Sequence, residues 1–363
     1  MFKYILKRLL YMVVVWIILS IIMFIIYTAV PNNRAYSEAK ADIQGNQAYK
    51  LLPKEEREKA FDDLYEDLQY KYGTETNNQV VLYLRWIGLY PYKDRVVDPA
   101  TGEVTIKTGK CNGMLQGNFG YSFEFRKDVI DVVKAPMRVT ILINIFATIL
   151  ALAITIPLGI VCAVHKGSHG DKAMQVFTII GYSLPVFLIA IVAVWLFCWI
   201  LGWFPATGLT TPASGFTGAR LFADKLYHLA LPLIVMTFCS LGGMTRYVRA
   251  SMIEALSMDC VRTARAKGVK ERTVIYSHAW RNALIPVITL VVGWFLGIFS
   301  GSVMIEQIFG LNGMGNLLIS SLTLRDFDIV LFLQMFYVSL SLLGNLIIDL
   351  AYGLADPRVR VNK

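Results

Sequence analysis

Asp259-Cys-Val-Arg-Thr-Ala-Arg-Ala-Lys-Gly-Val269 and, nine residues on, His278-Ala-Trp-Arg-Asn-Ala-Leu-Ile-Pro286 lie between one apolar stretch and the start of the next in this 363-residue chain. The first segment reads as a short helix within Glu254–Gly268. Ser257 or Asp259 is placed to cap its start, Lys267 falls in its last turn, and Gly268 supplies a left-handed stop. A second helix over Lys270–Leu284 leads back into apolar sequence. Eight Lys or Arg lie between Arg246 and Arg281. A basic, structured loop with apolar walls on both sides sets the terms for the rest of the chain.

Outward from that loop, 56% of the residues are hydrophobic and only 17% charged, where a soluble domain carries about 25% charged. The apolar residues are gathered into six blocks long enough, at about 20 residues, to cross a bilayer. They are Leu9–Val30, Val139–Val164, Ala173–Trp203, His228–Thr245, Asn282–Ile305 and Ile329–Ile348. The fourth is short and has Pro232 near its start; Pro185 is expected to kink the third. The start, Met1-Phe-Lys-Tyr-Ile-Leu-Lys-Arg8, resembles that of a secretory signal. Its apolar run is too long, however, and ends in Pro31-Asn32-Asn33 without a small-residue cleavage site, so it reads as a retained span. The fold class is therefore all-α and integral to the membrane, with six transmembrane helices.

Charge orients the spans. Lys3, Lys7 and Arg8, the segment from His165-Lys166 to Lys172, the Arg246–Arg281 loop, and Arg358, Arg360 and Lys363 occupy alternate connections. All can face the cytoplasm, as the positive-inside rule asks, with both termini inside. Three regions follow: residues 1–30, the cytoplasmic start and first span; residues 31–136, outside; and residues 137–363, the spanning core with its cytoplasmic loop 249–284. Residues 31–136 hold 15 Lys/Arg and 16 Asp/Glu, a net charge of −1 within a chain of +9. The positive excess thus sits on loops that face anionic lipid, and nucleic acid is not called for. The outer segment is too long for a simple connection. Pro53–Leu68 reads as a helix with Phe61, Leu64, Tyr65 and Leu68 on one face, part of a small external subdomain. Phe125, Val129, Val132 and Val133 share a face suited to the membrane interface before the second span.

Several chemistries are missing from the sequence. No G-x-x-x-x-G-K-[ST] phosphate loop occurs; Gly109-Lys110 is followed by Cys111. Cys111, Cys162, Cys198, Cys239 and Cys260 form no disulfide framework and no metal motif. His165, His169, His228 and His278 are scattered, with no triad or paired carboxylates to make a catalytic site. Glu306 and Asp349 fall at block ends, so the spans offer no proton relay. No cofactor is expected in this chain, and the energy for any pumping is expected from a partner. Gly293, Gly297 and Gly301, four apart, read either as a close-packing helix face or as ordinary glycine usage in a membrane helix.

The basic loop resembles the "EAA" coupling loop of type I ABC importers, in the form seen in dipeptide and oligopeptide (DppB/OppB-like) permeases. The resemblance runs through most of the chain. Gly117-Asn-Phe-Gly-Tyr-Ser122, Ser183-Leu-Pro-Val-Phe187, Phe204-Pro-Ala-Thr-Gly208 and Arg246-Tyr-Val-Arg-Ala-Ser-Met-Ile-Glu254 are similar to family motifs in the same order. So are Glu306-Gln-Ile-Phe309, Asn345-x-x-x-Asp349-x-x-Tyr352 and Asp356-Pro-Arg358. Departures are Pro31-Asn32-Asn33 for the family's Pro-Gly-Asp-Pro, Asn312 for a proline in Phe309–Gly315, and a longer outer segment.

The resemblance implies a permease subunit in a bacterial cell membrane. It would pair with a second, homologous permease to form a path for short peptides, with membrane lipid around it. An external binding protein would deliver the substrate, and two cytoplasmic ATPase subunits, holding ATP and magnesium, would grip the coupling helices. Asp259, Arg262, Thr263, Ala264, Arg265, Ala266, Lys267 and Gly268 are the implied coupling residues. Ala264, Ala266 and Gly268 would make the close contact, and Arg262, Arg265 and Lys267 would supply charge to the ATPase rim. The same permease shape also serves nickel or other metal chelates, glutathione and oligosaccharides, and these stay open as cargo. A membrane receptor or scaffold is the reading from another class; it leaves the loop unexplained.

Overall fold

The computed structural model describes residues 2–30, 34–97, 103–212, 215–299 and 301–355. The Pro31-Asn32-Asn33 segment and the basic tail with Asp356, Arg358, Arg360 and Lys363 lie outside the described residues. The chain is mostly helical. In order come α1 (Phe2–Ala29), α2 (Arg34–Gly45), α3 (Gln47–Lys50), α4 (Lys54–Tyr72) and α5 (Gln79–Ile87). Strands β1 (Lys93–Val97), β2 (Val104–Thr108), β3 (Tyr121–Ser122) and β4 (Lys127–Asp128) follow. Next are α6 (Val129–Val164), α7 (His169–Ser183), α8 (Val186–Ala193), α9 (Gly218–Ser257) and α10 (Asp259–Ala266). The chain closes with α11 (Glu271–Thr273), α12 (Trp280–Gly297), α13 (Val303–Ile308), α14 (Met314–Thr323) and α15 (Phe327–Ala355).

Among the described residues, four helical stretches are long and apolar enough to cross a membrane: Ile5–Ala29, Val129–Val164, Gly218–Ser257 and Phe327–Leu350. A fifth is broken: His169–Ser183 and Val186–Ile200 meet at 102°. The break falls at Leu184-Pro185, where the expected kink is a bend somewhat beyond a right angle. A proline ring removes an N–H and forces its predecessor extended, and Leu184 has φ −83° and ψ 138°. The block read as Asn282–Ile305 becomes a shorter apolar helix, Pro286–Phe295 within α12, because α12 ends at Gly297 rather than continuing to Ile305.

Two further expectations are revised. The segment from Val129 is the first part of the 36-residue α6, not a separate interfacial helix. Val129 and Val133 are fully buried, while Phe125 lies before the helix and is exposed. Likewise α9 runs through Glu254 to Ser257, so the loop helix starts only at Asp259.

Contacts divide the chain into two units. One comprises residues 11–132 and 321–336. Its helices α2 and α4 bury Ala35, Ala39 and Leu68, with Phe61, Leu64 and Tyr65 against them, the face read from the sequence. α5 is capped by Asn78, whose Oδ1 accepts from Val80 N at 3.0 Å. Arg85 is buried and forks onto Glu75 at 2.7 and 2.6 Å. β1 and β2 pair antiparallel, Lys93 opposite Thr108. Within this unit Tyr121 N donates to Asp328 at 3.1 Å, and Ser122 Oγ donates to buried Asp326 at 2.5 Å. Gly120, at φ +91°, lets the backbone pass: a Cβ there would stand 2.8 Å from the Asp328 carboxylate. That accounts for the Gly-x-Ser ending of the 117–122 motif.

The other unit comprises residues 1–10, 133–320 and 337–363. Its described residues include two packed centres. One gathers Ile143, Ala190, Ala193, Leu229, Leu231, Val235, Ile305, Phe309 and Leu311. The second gathers Ile160, Ala163, Met244, Val248, Met252 and Ala255 with Val261, Ala264, Val274, Ala279, Ala283 and Val287. The basic loop is thus part of a core.

Candidate coupling surface

The loop folds because its apolar residues recur at helical spacing and its turn residues suit their positions. α9 stops at Met258, whose ψ of 147° breaks the helix. Neither Ser257 nor Asp259 caps α10. The Ser257 hydroxyl instead donates back to Glu254 O at 2.7 Å, and Asp259 lies inside the first turn. An acid there and Arg265 in the last turn both suit the helix dipole. α10 closes in a Schellman motif: Val269 N donates to Ala264 O at 3.2 Å and Gly268 N to Arg265 O at 2.9 Å. Gly268 has φ +74°, the left-handed stop read from the sequence, and Lys267 is the residue before it. After the turn, α11, a π-helical stretch over Val274–Ala279 and α12 form one continuous rod.

Which residues face outward follows from that packing. Val261 and Ala264 point inward and are buried on Val248, Met252, Val274 and Ala279. Asp259, Arg262, Thr263, Arg265, Ala266, Lys267 and Gly268 are exposed. The close contact expected of Ala264 with a partner is therefore made with the chain's own core. A partner can reach Ala266 and Gly268, around which no atom lies within 4 Å of a Cβ built at Gly268. Arg262 lies 3.6 Å from Asp259 and stays largely in solvent. Arg265 forks onto Glu271 across the turn; that hydrogen bond holds the Glu271 carboxyl below its ordinary pKa and raises the guanidinium's. The Thr263 hydroxyl donates to Asp259 O at 2.9 Å. The outward face is small and polar at its centre and charged around it.

Two contributors were not read from the sequence. Asp171, at the start of α7, is buried and takes two 2.7 Å bonds from Arg249 of α9. Glu271 pairs with Arg265. The Ser168-x-x-Asp171 spacing was a readable capping signal: Ser168 Oγ accepts from Asp171 N at 3.2 Å. Nothing local announced that the same carboxylate would meet an arginine 78 residues on.

The glycine series splits. Gly293 and Gly297 have nothing within 4 Å of a built Cβ, so within the described chain they contact no neighbouring helix. Gly301 lies beyond the end of α12 and packs on Gly315, where a Cβ would come within 2.1 Å of its N. Among the described residues no group of three His, Cys, Asp or Glu is placed to hold a metal.

Residues 155–361 match the family described as binding-protein-dependent transport system inner membrane component. The chain is 36% identical over 294 residues to the oligopeptide transport system permease protein AppB of Bacillus subtilis, covering 80% of this chain and 83% of that protein. It is 35% identical over 246 residues to the oligopeptide transport system permease protein OppB of Haemophilus influenzae, covering 68% and 76%. A crystal structure of an amino acid ABC transporter with histidines aligns over 60% of this chain and 91% of that one, at TM-score 0.42 and 13% identity. With more than half of its length inside the family match, the chain belongs to the inner membrane components of binding-protein-dependent transport systems.

Proposed function

We propose that this chain is the permease subunit of an ATP-driven importer of short peptides and that α10 is its coupling helix. It pairs with a second, homologous permease, receives cargo from an external binding protein and is moved by two cytoplasmic ATPase subunits. The peptide assignment follows the oligopeptide permeases named above. The observation that carries the coupling assignment is the division of α10: Val261 and Ala264 are buried in the spanning core, while Arg262, Ala266 and Lys267 are offered outward. A helix so seated passes an applied displacement into α9 and α12 instead of sliding over them. A rigid lever on a bistable bundle is what alternating access requires.

Gly268 and Ala266 form the approach for an ATPase groove; Arg262 and Lys267 supply charge at its rim, and Arg265 is already held by Glu271. Both termini and the 249–284 loop are cytoplasmic in this reading, and 31–136 is external. ATP hydrolysis by reconstituted proteins tests it. The two permeases alone are expected to be inactive, and activity is expected to appear with the ATPase subunits and rise with peptide-loaded binding protein. Robust hydrolysis by this chain alone, with contaminants excluded, overturns it.

A further inference from the structure

We propose that the Asp171–Arg249 pair is a positioning latch that makes α7 travel with the coupling helix, so that the chain bends at Leu184-Pro185. The proposal rests on reading α10 as the coupling helix. Asp171 is 2% exposed, yet it carries no catalytic or cargo role in that reading. Its carboxylate is fully engaged: Arg249 Nε and Nη2 each donate at 2.7 Å, and Gly167 N donates to Oδ2 at 2.9 Å. Ion pairs this dry add little net stability, because desolvating both charges offsets their attraction; what they fix is register.

Register is what the surroundings share. Built Cβ atoms show how close α7 and α9 come: one on Gly242 would stand 2.5 Å from Thr178 O, and one on Gly181 would stand 2.9 Å from Phe238 O. The two backbones touch along their length, and the ion pair pins the end of that contact nearest the loop. Arg249 follows Val248 directly and precedes Met252 and Ala255, all three buried in one core with Val261 and Ala264 of α10. A push on α10 therefore reaches Arg249 through packed atoms and Asp171 through two charge-assisted bonds. At its other end α7 stops at the 102° break, and α8 beyond it packs in a different core, with Leu229, Leu231 and Phe309. The break lies where one packed centre gives way to the next, which is where a hinge costs least.

Distance measurements on the complete complex test this. The permease, its five native cysteines replaced, carries spin labels at Lys172→Cys and Glu254→Cys. It is reconstituted with its partners and examined by double electron–electron resonance, nucleotide-free and with ATP trapped by vanadate. The expected result is one narrow distance, the same in both states. Asp171→Asn is expected to lose that single peak and to become nucleotide-dependent; the exchange Asp171→Arg with Arg249→Asp is expected to restore it. Should Asp171→Asn not assemble, Arg249→Lys, which keeps the charge and loses the fork, is read in the same way. A wild-type distance that shifts on ATP trapping, or a variant indistinguishable from wild type in both states, overturns the latch. The coupling-loop reading fails on another measurement, ATPase subunits that stay bound to the Ala266→Glu protein, and the distances stand apart from it.

Discussion

The Arg265 guanidinium closes on the Glu271 carboxylate across the turn made by Gly268, with Nη2 to Oε1 at 2.7 Å and Nε to Oε2 at 3.2 Å. The pair brackets the surface proposed for the ATPase contact, and it removes one of the three charges otherwise available there.

Because both partners are exposed, the fork adds little to stability. Glu271→Gln is expected to leave the amount of folded protein unchanged and to free Arg265. The sign of the pH effect follows from the lowered Glu271 pKa. The pair's contribution is complete above the ordinary carboxylate range and disappears as pH falls through the lowered value. A double-mutant cycle with Arg265→Ala, read as uptake at matched expression, is expected to show coupling near neutral pH. Coupling that persists in acid beyond the carboxylate range contradicts this assignment.

Gly268→Val tests the turn. No atom within 4 Å obstructs a side chain, so the whole penalty is conformational, about 1–2 kcal/mol for a left-handed residue and more for a β-branched one. The Val269–Ala264 and Gly268–Arg265 bonds are expected to open, with uptake lost and membrane insertion retained. Gly268→Asn, which tolerates this region, is expected to retain most uptake. Equal uptake by the Val and Asn variants removes the Schellman turn from the mechanism.

Ala264 and Ala266 are two residues apart and point to opposite sides. Ala264→Glu places a carboxylate against Val261 and Val274, at a cost of several kcal/mol unless it protonates. It is expected to loosen the loop, seen as faster proteolysis between residues 249 and 284. Ala266→Glu is expected to leave proteolysis unchanged while lowering co-purification of the ATPase. If both variants behave alike, α10 does not divide into a seated and an offered face.

The difference between those two alanines marks the limit of the sequence reading. Block length located four long apolar helices, the broken pair at Leu184-Pro185 and the shorter Pro286–Phe295, and the motifs located the loop, because bilayer thickness and turn chemistry act locally. Gly268 was legible for the same reason: few other residues accept φ +74°. The inward turn of Ala264 depends on Met252 and Val274 lying beneath it, and alanine carries little periodic signal by itself. Asp171 and Arg249 read as one isolated acid and one base among many. Only the approach of α7 to α9, permitted by Gly181 and Gly242, brings them together. Contacts made across the fold leave no mark in local spacing.

Glu306 carries a fourth prediction. It is buried, with Thr140 Oγ1 donating to one oxygen at 2.9 Å and Asn316 N to the other at 2.8 Å; Met314 N in turn donates to Thr140 at 2.8 Å. Thr140→Val keeps the shape and strips a link from this chain, leaving Met314 N and Glu306 short of a partner. A cost of about 1–3 kcal/mol is expected, read as a lower Tm in detergent. Gly313→Ala is expected to do at least as much, since its methyl would fall 2.4 Å from Glu306 Cδ and 2.6 Å from Thr140 Oγ1. Unchanged Tm in both variants excludes a structural role for this carboxylate.

Orientation is testable with residues the chain already has. Cys111 and Cys260 are both exposed and unpaired, one in the 31–136 segment and one on α10. Cys162 is buried and Cys198 and Cys239 are partly so, which leaves Cys111 and Cys260 as the exposed pair to compare. If 31–136 is external, an impermeant thiol reagent applied to intact cells labels a variant that keeps Cys111 alone. It spares a variant that keeps Cys260 alone until the membrane is opened. The opposite pattern would place the basic loop outside, beyond the reach of any cytoplasmic ATPase, and would reverse the direction in which α10 acts. Labelling of neither residue in opened membranes would mean that partner subunits cover both. Adding the reagent to the purified, dissociated chain then separates that outcome from burial within the chain itself.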